Sequence, residues 1–297
     1  MNLASLNLVS LRTRGVVLAV VSAALLLQYP MSAQTSGDQK ADNFQRTFSL
    51  GSGGTLVVDN YKGTIHVTGT DGNQVMVDVR KRFEGSESDR KWWMDNLQIN
   101  FHNDSGKVEV AVKYPSYTCI FCWQISDYSA LVELEIRVPR QVNVRIESYK
   151  PDIRIASIQG DIRIHSYKSP IAIESTTGGI RIDTYKDTIK LRDVSVRGAL
   201  DIKSYKADAD ISVRSLGDTA SLETYKGDIT LRLPKNAGFD VDFTGGRHTS
   251  FHSDFPLATH AGSRWDHDVR GTVNQGGTHV RLRSERGSVT LRQEGSL

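Results

Sequence analysis

A Tyr-Lys dipeptide recurs along the chain, and it is the feature from which binding chemistry can be argued. A phenol ring offers an apolar face with a polar tip, and a lysine ammonium group attracts carboxylate or phosphate. The pairs are Tyr61-Lys62, Tyr149-Lys150, Tyr167-Lys168, Tyr185-Lys186, Tyr205-Lys206 and Tyr225-Lys226. From Tyr149 the steps are 18, 18, 20 and 20 residues. This regularity predicts a linear strip of rings and charges.

The residues around each pair predict how the strip is positioned. Ile162 and Ile164 precede Tyr167 with Arg163 between them, and Ile171 and Ile173 follow it with the small Ala172 between them. Such alternation is typical of short strands with one buried face. One coil of this length cannot bury its apolar face alone, so neighbouring coils must stack. The sequence therefore predicts an all-β fold: a single-chain β-solenoid (β-helix) with two short strands per coil of about 18–20 residues, plus a short capping helix.

Three short segments carry a resemblance to a known family. They are Thr224 to Leu231 (TYKGDITL), Ser284 to Leu291 (SERGSVTL) and the Val138-Pro139 boundary. Through them the chain resembles the bacterial "putative adhesin" domain family over roughly residues 50 to 292. The resemblance implies an exported β-solenoid of largely unknown biochemical function, and it supplies no catalytic residues. Tyr-Lys at the turn departs from the small polar residues expected there.

The rest of the chain divides by composition. Residues 1–33 are interpreted as a secretory signal peptide, with Arg12 and Arg14 before an apolar run and Met31-Ser32-Ala33 as the cleavage site. We expect no integral membrane span after cleavage. The predicted segments are a disordered leader (34–44), a β-solenoid domain (45–292), an irregular strand and helix insertion or cap (69–141), regular Tyr-Lys coils (142–243), a long loop (244–276) and a final coil (277–292).

The lysines of the regular coils leave two interpretations open. Stacked at one strand spacing, they place like charges opposite each other, which destabilises a sheet. The turn acids Asp152, Asp187, Asp208 and Asp228 are expected to give some relief. The tyrosines can stabilise stacked strands by themselves, which is the structural interpretation. In the functional one, the binding residues are Tyr149, Lys150, Tyr167, Lys168, Tyr185, Lys186, Tyr205, Lys206, Tyr225 and Lys226.

Other groups that could carry chemistry are interpreted as structural. Cys119 and Cys122 are the only cysteines, and a local disulfide is favoured over a redox pair or a metal site. Residues two before each tyrosine form a column that is interpreted as an ion ladder: Glu147, His165, Asp183, Lys203 and Glu223. Its first three members are not interpreted as a catalytic group. The histidines between residues 248 and 267 lack a metal-ligand spacing. We predict no metal, no cofactor and no catalytic residue.

These observations favour a non-catalytic, exported recognition or scaffold module of the bacterial envelope. The formal net charge falls from +3 to +1 when the two arginines of residues 1–33 are removed, which argues against nucleic acid as a partner. The expected partner is an acidic polysaccharide or an envelope protein, and the expected location is the periplasm, the cell surface or the medium. The alternatives are a polysaccharide-processing β-helix enzyme and an envelope-stress signalling partner.

Overall fold

The computed structural model describes residues 42–84, 87–115, 130–259 and 268–294. These residues form one helix and sixteen strands, and the strands belong to one hydrogen-bonded sheet. The fold is therefore all-β and solenoid-like. The elements are β1 (Asn43–Ser49), β2 (Thr55–Thr70), β3 (Gln74–Phe83), α1 (Glu87–Asn96), β4 (Gln98–Asp104), β5 (Lys107–Lys113), β6 (Ala130–Pro139), β7 (Asn143–Ala156), β8 (Ile162–Lys168), β9 (Ile171–Glu174), β10 (Thr177–Ser215), β11 (Thr219–Lys226), β12 (Ile229–Leu233), β13 (Phe239–Ser253), β14 (Ala258–Thr259), β15 (Asp268–Val273) and β16 (Thr278–Gln293).

Parallel pairing brings equivalent positions of successive repeats into register. Ile162 of β8 lies opposite Val144 of β7 on one side and Ile180 of β10 on the other. After the Tyr-Lys pair, Ile171 of β9 lies opposite Ile153 of β7. All five side chains are at most 2% exposed. Each buried aliphatic side chain contributes about 1.5–3 kcal/mol, so these internal columns account for much of the stability of the stack.

Two repeats outside the regular coils, one in β2 and one in β16, join the same stack. Strand β2 pairs in parallel with β7 and places Lys62 opposite Lys150. Strand β16 pairs in parallel with β11 and places Arg286 opposite Lys226. The Tyr-Lys register therefore extends beyond the regular coils at both ends.

Strands from the segment 69–141 pair with the edge of β2 that faces away from β7. Strands β5 and β6 pair with β2, while β3 pairs in antiparallel fashion with β1 and β6. The short helix expected in this segment is present as α1; Trp93 on it is 3% exposed, and Leu97, the residue after it, is 2% exposed. Cys119 and Cys122 lie outside the described residues, so the disulfide stays a prediction.

The prediction of a long loop over residues 244–276 is wrong for much of that segment. Strand β13 continues through Gly245-Gly246 to Ser253, in register with β16 apart from a shift between Gly245 and His248. A Cβ atom on Gly246 would lie 2.4 Å from the carbonyl oxygen of Glu285. The glycines therefore permit a bulge and a close backbone approach inside a strand, where the sequence pattern indicated a break.

The N-terminal boundary differs slightly from the expected one. Strand β1 begins at Asn43, so the last two residues assigned to the leader form strand. Residues 1–33, interpreted as the signal peptide, lie outside the described residues. Among the helical residues that the structure describes, no segment combines the length and apolar character needed to cross a membrane.

Candidate functional site

Six tyrosine rings form a continuous stack along the outside of the sheet. The ring centroids of Tyr61 and Tyr149 are 4.7 Å apart, and those of Tyr185 and Tyr205 are 5.0 Å apart. Interplanar angles along the stack range from 2° to 13°. The strand spacing of about 4.8 Å imposes this geometry, because each ring stands at the same position of its repeat. We call the six rings the tyrosine ladder: Tyr61, Tyr149, Tyr167, Tyr185, Tyr205 and Tyr225.

Face-to-face stacking determines which part of each ring a ligand could reach. Inside the ladder both faces of a ring are covered by its neighbours, so the accessible parts are the ring edge and the hydroxyl group. Tyr185, Tyr205 and Tyr225 are 37–41% exposed in this way. An aromatic edge is the positive side of the ring quadrupole. The sequence had suggested flat apolar faces, and the structure replaces that surface with edges that favour negative partners.

Both ends of the ladder are covered by another side chain. Tyr114 packs against Tyr61 at a centroid distance of 5.6 Å, and its hydroxyl group donates to the carbonyl oxygen of Lys62 at 2.8 Å. Burial raises the pKa of Tyr114 above its usual range. At the other end, the guanidinium carbon of Arg286 lies 6.0 Å from the centroid of Tyr225. The ladder is thus a bounded surface about 24 Å long.

The lysines next to the tyrosines form a column that we call the lysine column: Lys62, Lys150, Lys168, Lys186, Lys206 and Lys226. Lys62 lies opposite Lys150, and Lys168 lies opposite Lys186. The ammonium nitrogen of Lys168 is 5.4 Å from the ring centroid of Tyr167, within cation–π range. Within the described ranges, the last four lysines of the column make no ion pair.

Three of the turn acids, Asp187, Asp208 and Asp228, accept hydrogen bonds from backbone amides. Asp208 accepts a hydrogen bond from the backbone N–H of Asp228 at 2.9 Å, and Asp187 accepts one from that of Thr188 at 3.0 Å. Asp228 accepts the backbone N–H of Ser288 at 2.7 Å. These carboxylates satisfy amides at the turns, a task for which aspartate is well suited. The relief that these three carboxylates give to the last four lysines of the column therefore acts through the longer-range electrostatic field.

A groove of about 580 Å³ follows the side of the tyrosine ladder that faces away from the lysine column. We call it the ladder groove. Its floor is formed by the hydroxyl residues that precede each tyrosine, among them Ser166, whose hydroxyl group donates to Thr184 Oγ1 at 2.9 Å. Its second wall consists of His165, Asp183 and Lys203. A smaller groove of about 350 Å³ continues past Glu223.

The second wall of the ladder groove carries charges of both signs. His165 Nδ1 lies 4.0 Å from Asp183 Oδ2, and Lys203 lies opposite Glu223 in the sheet register. The side chains of His165 and Asp183 are more than half exposed. These contacts fit the ion ladder that the sequence predicts. Glu147 lines the neighbouring groove together with Arg145 and Arg163.

The histidines near the C-terminus lie on strands or outside the described residues. His248 and His252 belong to β13, where they lie opposite Arg286 and Thr290. His260 and His267 are not among the described residues. Within the described part of the chain, no group of three or more His, Cys, Asp or Glu side chains is arranged to hold a metal ion.

The structure brings all ten predicted site residues to one surface and adds others to it. Lys62 and Arg286 extend the lysine column, and His248 follows Arg286 in register. The sequence already indicated both residues, because Lys62 belongs to a Tyr-Lys pair and Arg286 takes the lysine position in the segment Ser284 to Leu291. Tyr114 carries no such signal, because it stands outside the repeat and reaches the ladder through the pairing of β5 with β2.

The chain is similar to known proteins over most of its length. The family model described as "Toastrack DUF4097" matches residues 32–292. The chain belongs to this family. The resemblance to the "putative adhesin" domain family is thereby confirmed. No curated protein matches the chain in sequence.

Solved structures similar to this Toastrack chain come from several bacteria. A "putative cell adhesion protein" from Clostridium sporogenes ATCC 15579 has 11% identity and a TM-score of 0.38, covering 85% of this chain and 100% of its own. A "putative adhesin" from Bacteroides fragilis NCTC 9343 has 11% identity and a TM-score of 0.38, with coverages of 84% and 96%. A "putative lipid binding protein" from Parabacteroides distasonis ATCC 8503 has 8% identity and a TM-score of 0.23, with coverages of 85% and 96%.

Proposed function

We propose that the protein is an exported, non-catalytic recognition module of the bacterial envelope that binds an extended acidic polymer along the tyrosine ladder and the lysine column. The observation that carries the proposal is the alignment of the last four lysines of the column, Lys168, Lys186, Lys206 and Lys226, which make no ion pair within the described ranges. We also propose that each Tyr-Lys pair belongs to one coil of two short strands.

The aligned ammonium groups repel one another, and a linear polyanion bound along them lowers this repulsion. Two unit charges about 5 Å apart in water repel each other by about 0.8 kcal/mol, and each inner lysine has two such neighbours. The fold keeps these residues in register through its buried columns, whatever their mutual repulsion. A polymer that lies along the column replaces several repulsions by attractions and releases counterions, as polyanion binding generally does.

The tyrosine edges support the same class of ligand. Their outward hydrogens carry partial positive charge, and each phenol hydroxyl can donate a hydrogen bond to a carboxylate, sulfate or phosphate oxygen. A neutral sugar that binds by stacking needs an open ring face, and those faces are occupied inside the ladder. The surface therefore suits anionic groups better than flat neutral rings.

A polysaccharide-processing activity is less well supported by the geometry. Glycoside hydrolysis uses two carboxyl groups that flank the scissile bond. Asp183 lines the ladder groove and Glu223 the smaller groove that continues it, and the two acids follow one another along one column with Lys203 between them. Acids in one column can line a polymer, but they do not face each other across it.

The proposal is tested by binding of the exported protein to an array of acidic and neutral bacterial and plant polysaccharides. The decisive variant replaces Tyr167, Lys168, Tyr185, Lys186, Tyr205 and Lys206 by Ser and Asn. A matched control replaces Lys91, Lys107 and Lys235, which lie elsewhere on the surface, by Gln. We expect salt-sensitive binding to acidic polymers by the parent and the control but not by the ladder variant. Equal binding by all three proteins would refute the proposal.

A further inference from the structure

The two flanks of the tyrosine ladder differ in charge, and the difference narrows the chemistry of the ligand. One flank carries the lysine column. The other is the ladder groove, whose wall carries Asp183 together with His165 and Lys203, and the smaller groove beyond it carries Glu223. Because the charges on this flank are of both signs, an anionic group gains less there than at the lysine column.

The floor of the ladder groove offers hydrogen bonds without net charge. Among the residues that the structure describes, the buried oxygen Ser148 Oγ has no hydrogen-bond partner, and Ser166 and Ser204 donate to Thr184 and Thr224 at 2.9 and 3.0 Å. Each hydroxyl group has one donor and two acceptor positions, so these pairs leave acceptor capacity unused. Exposed carboxylates on the wall add further acceptors.

We infer that the ladder groove recognises hydroxyl groups, and that the polymer bound by this surface is an acidic polysaccharide. Its carboxylates lie toward the lysine column, and its hydroxyl groups donate to Asp183 and bond with the serine and threonine floor. This inference rests on the proposed function, since it specifies the ligand of the same surface. It excludes a polymer without hydroxyl groups as the preferred ligand.

The spacing of the surface disfavours an extended acidic peptide. In an extended strand, side chains on one face recur about every 6.6–6.8 Å, whereas the lysine column repeats at about 4.8 Å. A peptide lying along the ladder would therefore drift out of register with the lysines after one or two residues. Its backbone also offers no row of hydroxyl donors to the Asp183 wall.

The test compares two polycarboxylates of matched length, polygalacturonate with hydroxyl groups and polyacrylate without them. Binding of each to the exported protein is measured by calorimetry at fixed salt. The variant is Asp183→Ala, and Asp183 is exposed enough for its removal to leave the fold intact. The matched control is Glu174→Ala, which removes one exposed carboxylate from β9.

We expect Asp183→Ala to weaken polygalacturonate binding by about tenfold, because a hydrogen bond to a charged group is lost. Polyacrylate binding should stay equal or become tighter, because a repulsive charge is gone. Glu174→Ala should not weaken binding of polygalacturonate. Unchanged or tighter polygalacturonate binding by Asp183→Ala would overturn this inference alone. If the parent protein bound neither polymer, the proposed function would fail together with it.

Discussion

The guanidinium carbon of Arg286 lies 6.0 Å from the ring centroid of Tyr225 and closes the tyrosine ladder at its C-terminal end. Arg286 occupies the lysine position of the last repeat and lies opposite Lys226, while Glu285 stands in the tyrosine position. The terminal ring therefore has a cation on the side where an inner ring has another tyrosine. Arg286 also extends the column of positively charged side chains by one position.

Replacing Arg286 by Ala should destabilise the protein slightly. An exposed cation–π contact contributes about 0.5–1 kcal/mol, which corresponds to a fall in Tm of roughly 1–3 °C for a chain of this size. Differential scanning calorimetry measures the change, and Arg286→Lys is the matched control because it keeps the positive charge. A fall in Tm of 10 °C would show that Arg286 does more than cover the ring.

Replacing a central tyrosine should lower the free energy of unfolding by more than replacing Arg286, which covers the last ring. Tyr185 stacks on Tyr167 at 4.8 Å and on Tyr205 at 5.0 Å, so Tyr185→Ser removes two ring contacts. At about 0.5–1.5 kcal/mol per pair, we expect a loss of about 1–3 kcal/mol in the free energy of unfolding, measured by urea denaturation. Tyr185→Phe keeps both stacks and should unfold at nearly the same urea concentration. Similar losses in the two variants would show that the hydroxyl group, and not stacking, stabilises the ladder.

The glycine after Lys226 is required by a close approach between turns. Gly227 has φ of 144°, and a Cβ atom there would lie 2.3 Å from the carbonyl oxygen of Ala207. Gly72 also has positive φ, 124°, but no atom lies within 4 Å of its Cβ position. Gly227→Ala should therefore lower the free energy of unfolding by about 1–3 kcal/mol more than Gly72→Ala. Equal effects would mean that the turn can move away without cost.

Asp210 links the strands through a double ion pair and should make stability depend on acid pH. Its carboxylate contacts Arg192 at 2.5 Å and also Arg232, and the hydrogen bond from Arg192 holds the pKa of Asp210 below its usual range. A carboxyl whose folded-state pKa is depressed contributes stability above the unfolded-state value, about 3.9, and loses it as pH falls through the folded-state value.

Asp210→Asn should therefore be less stable than the parent at pH 7, and the difference should shrink as the pH is lowered below about 4. Urea midpoints measured between pH 7 and pH 2.5 provide the test. Asp218→Asn serves as the control, because Asp218 is exposed and forms no ion pair with an arginine among the described residues. A difference that stays constant across this range would exclude the linkage.

The repeat made most of the central architecture predictable. Because apolar residues alternate around every Tyr-Lys pair, the sequence predicts which side chains are buried and that the tyrosines stand outside, and Ile162, Ile180 and Tyr185 follow that frame. The outer columns follow from the same period. Prediction was thus strongest where each repeat specifies its neighbour.

Other features depended on contacts that no period encodes. The tilted ring contact between Tyr114 and Tyr61 joins residues that are far apart in sequence, and it depends on strands that lack the repeat. Gly245-Gly246 indicated a loop, yet in β13 the pair accommodates a bulge against Glu285. The ring faces were expected to be available to a ligand, whereas in-register stacking leaves only their edges. In each case the outcome is decided by a partner strand and not by local composition.

The central claim is that aligned lysines bind an acidic polymer, and the most direct test is the salt dependence of binding. Polygalacturonate binding is measured at several salt concentrations for the parent protein, for Lys168→Gln/Lys186→Gln/Lys206→Gln, and for the Lys91, Lys107 and Lys235 control. The account predicts that affinity falls steeply with salt for the parent and the control, and that the triple-lysine variant binds weakly with a shallow salt dependence. Identical affinity and salt dependence in all three proteins would contradict it.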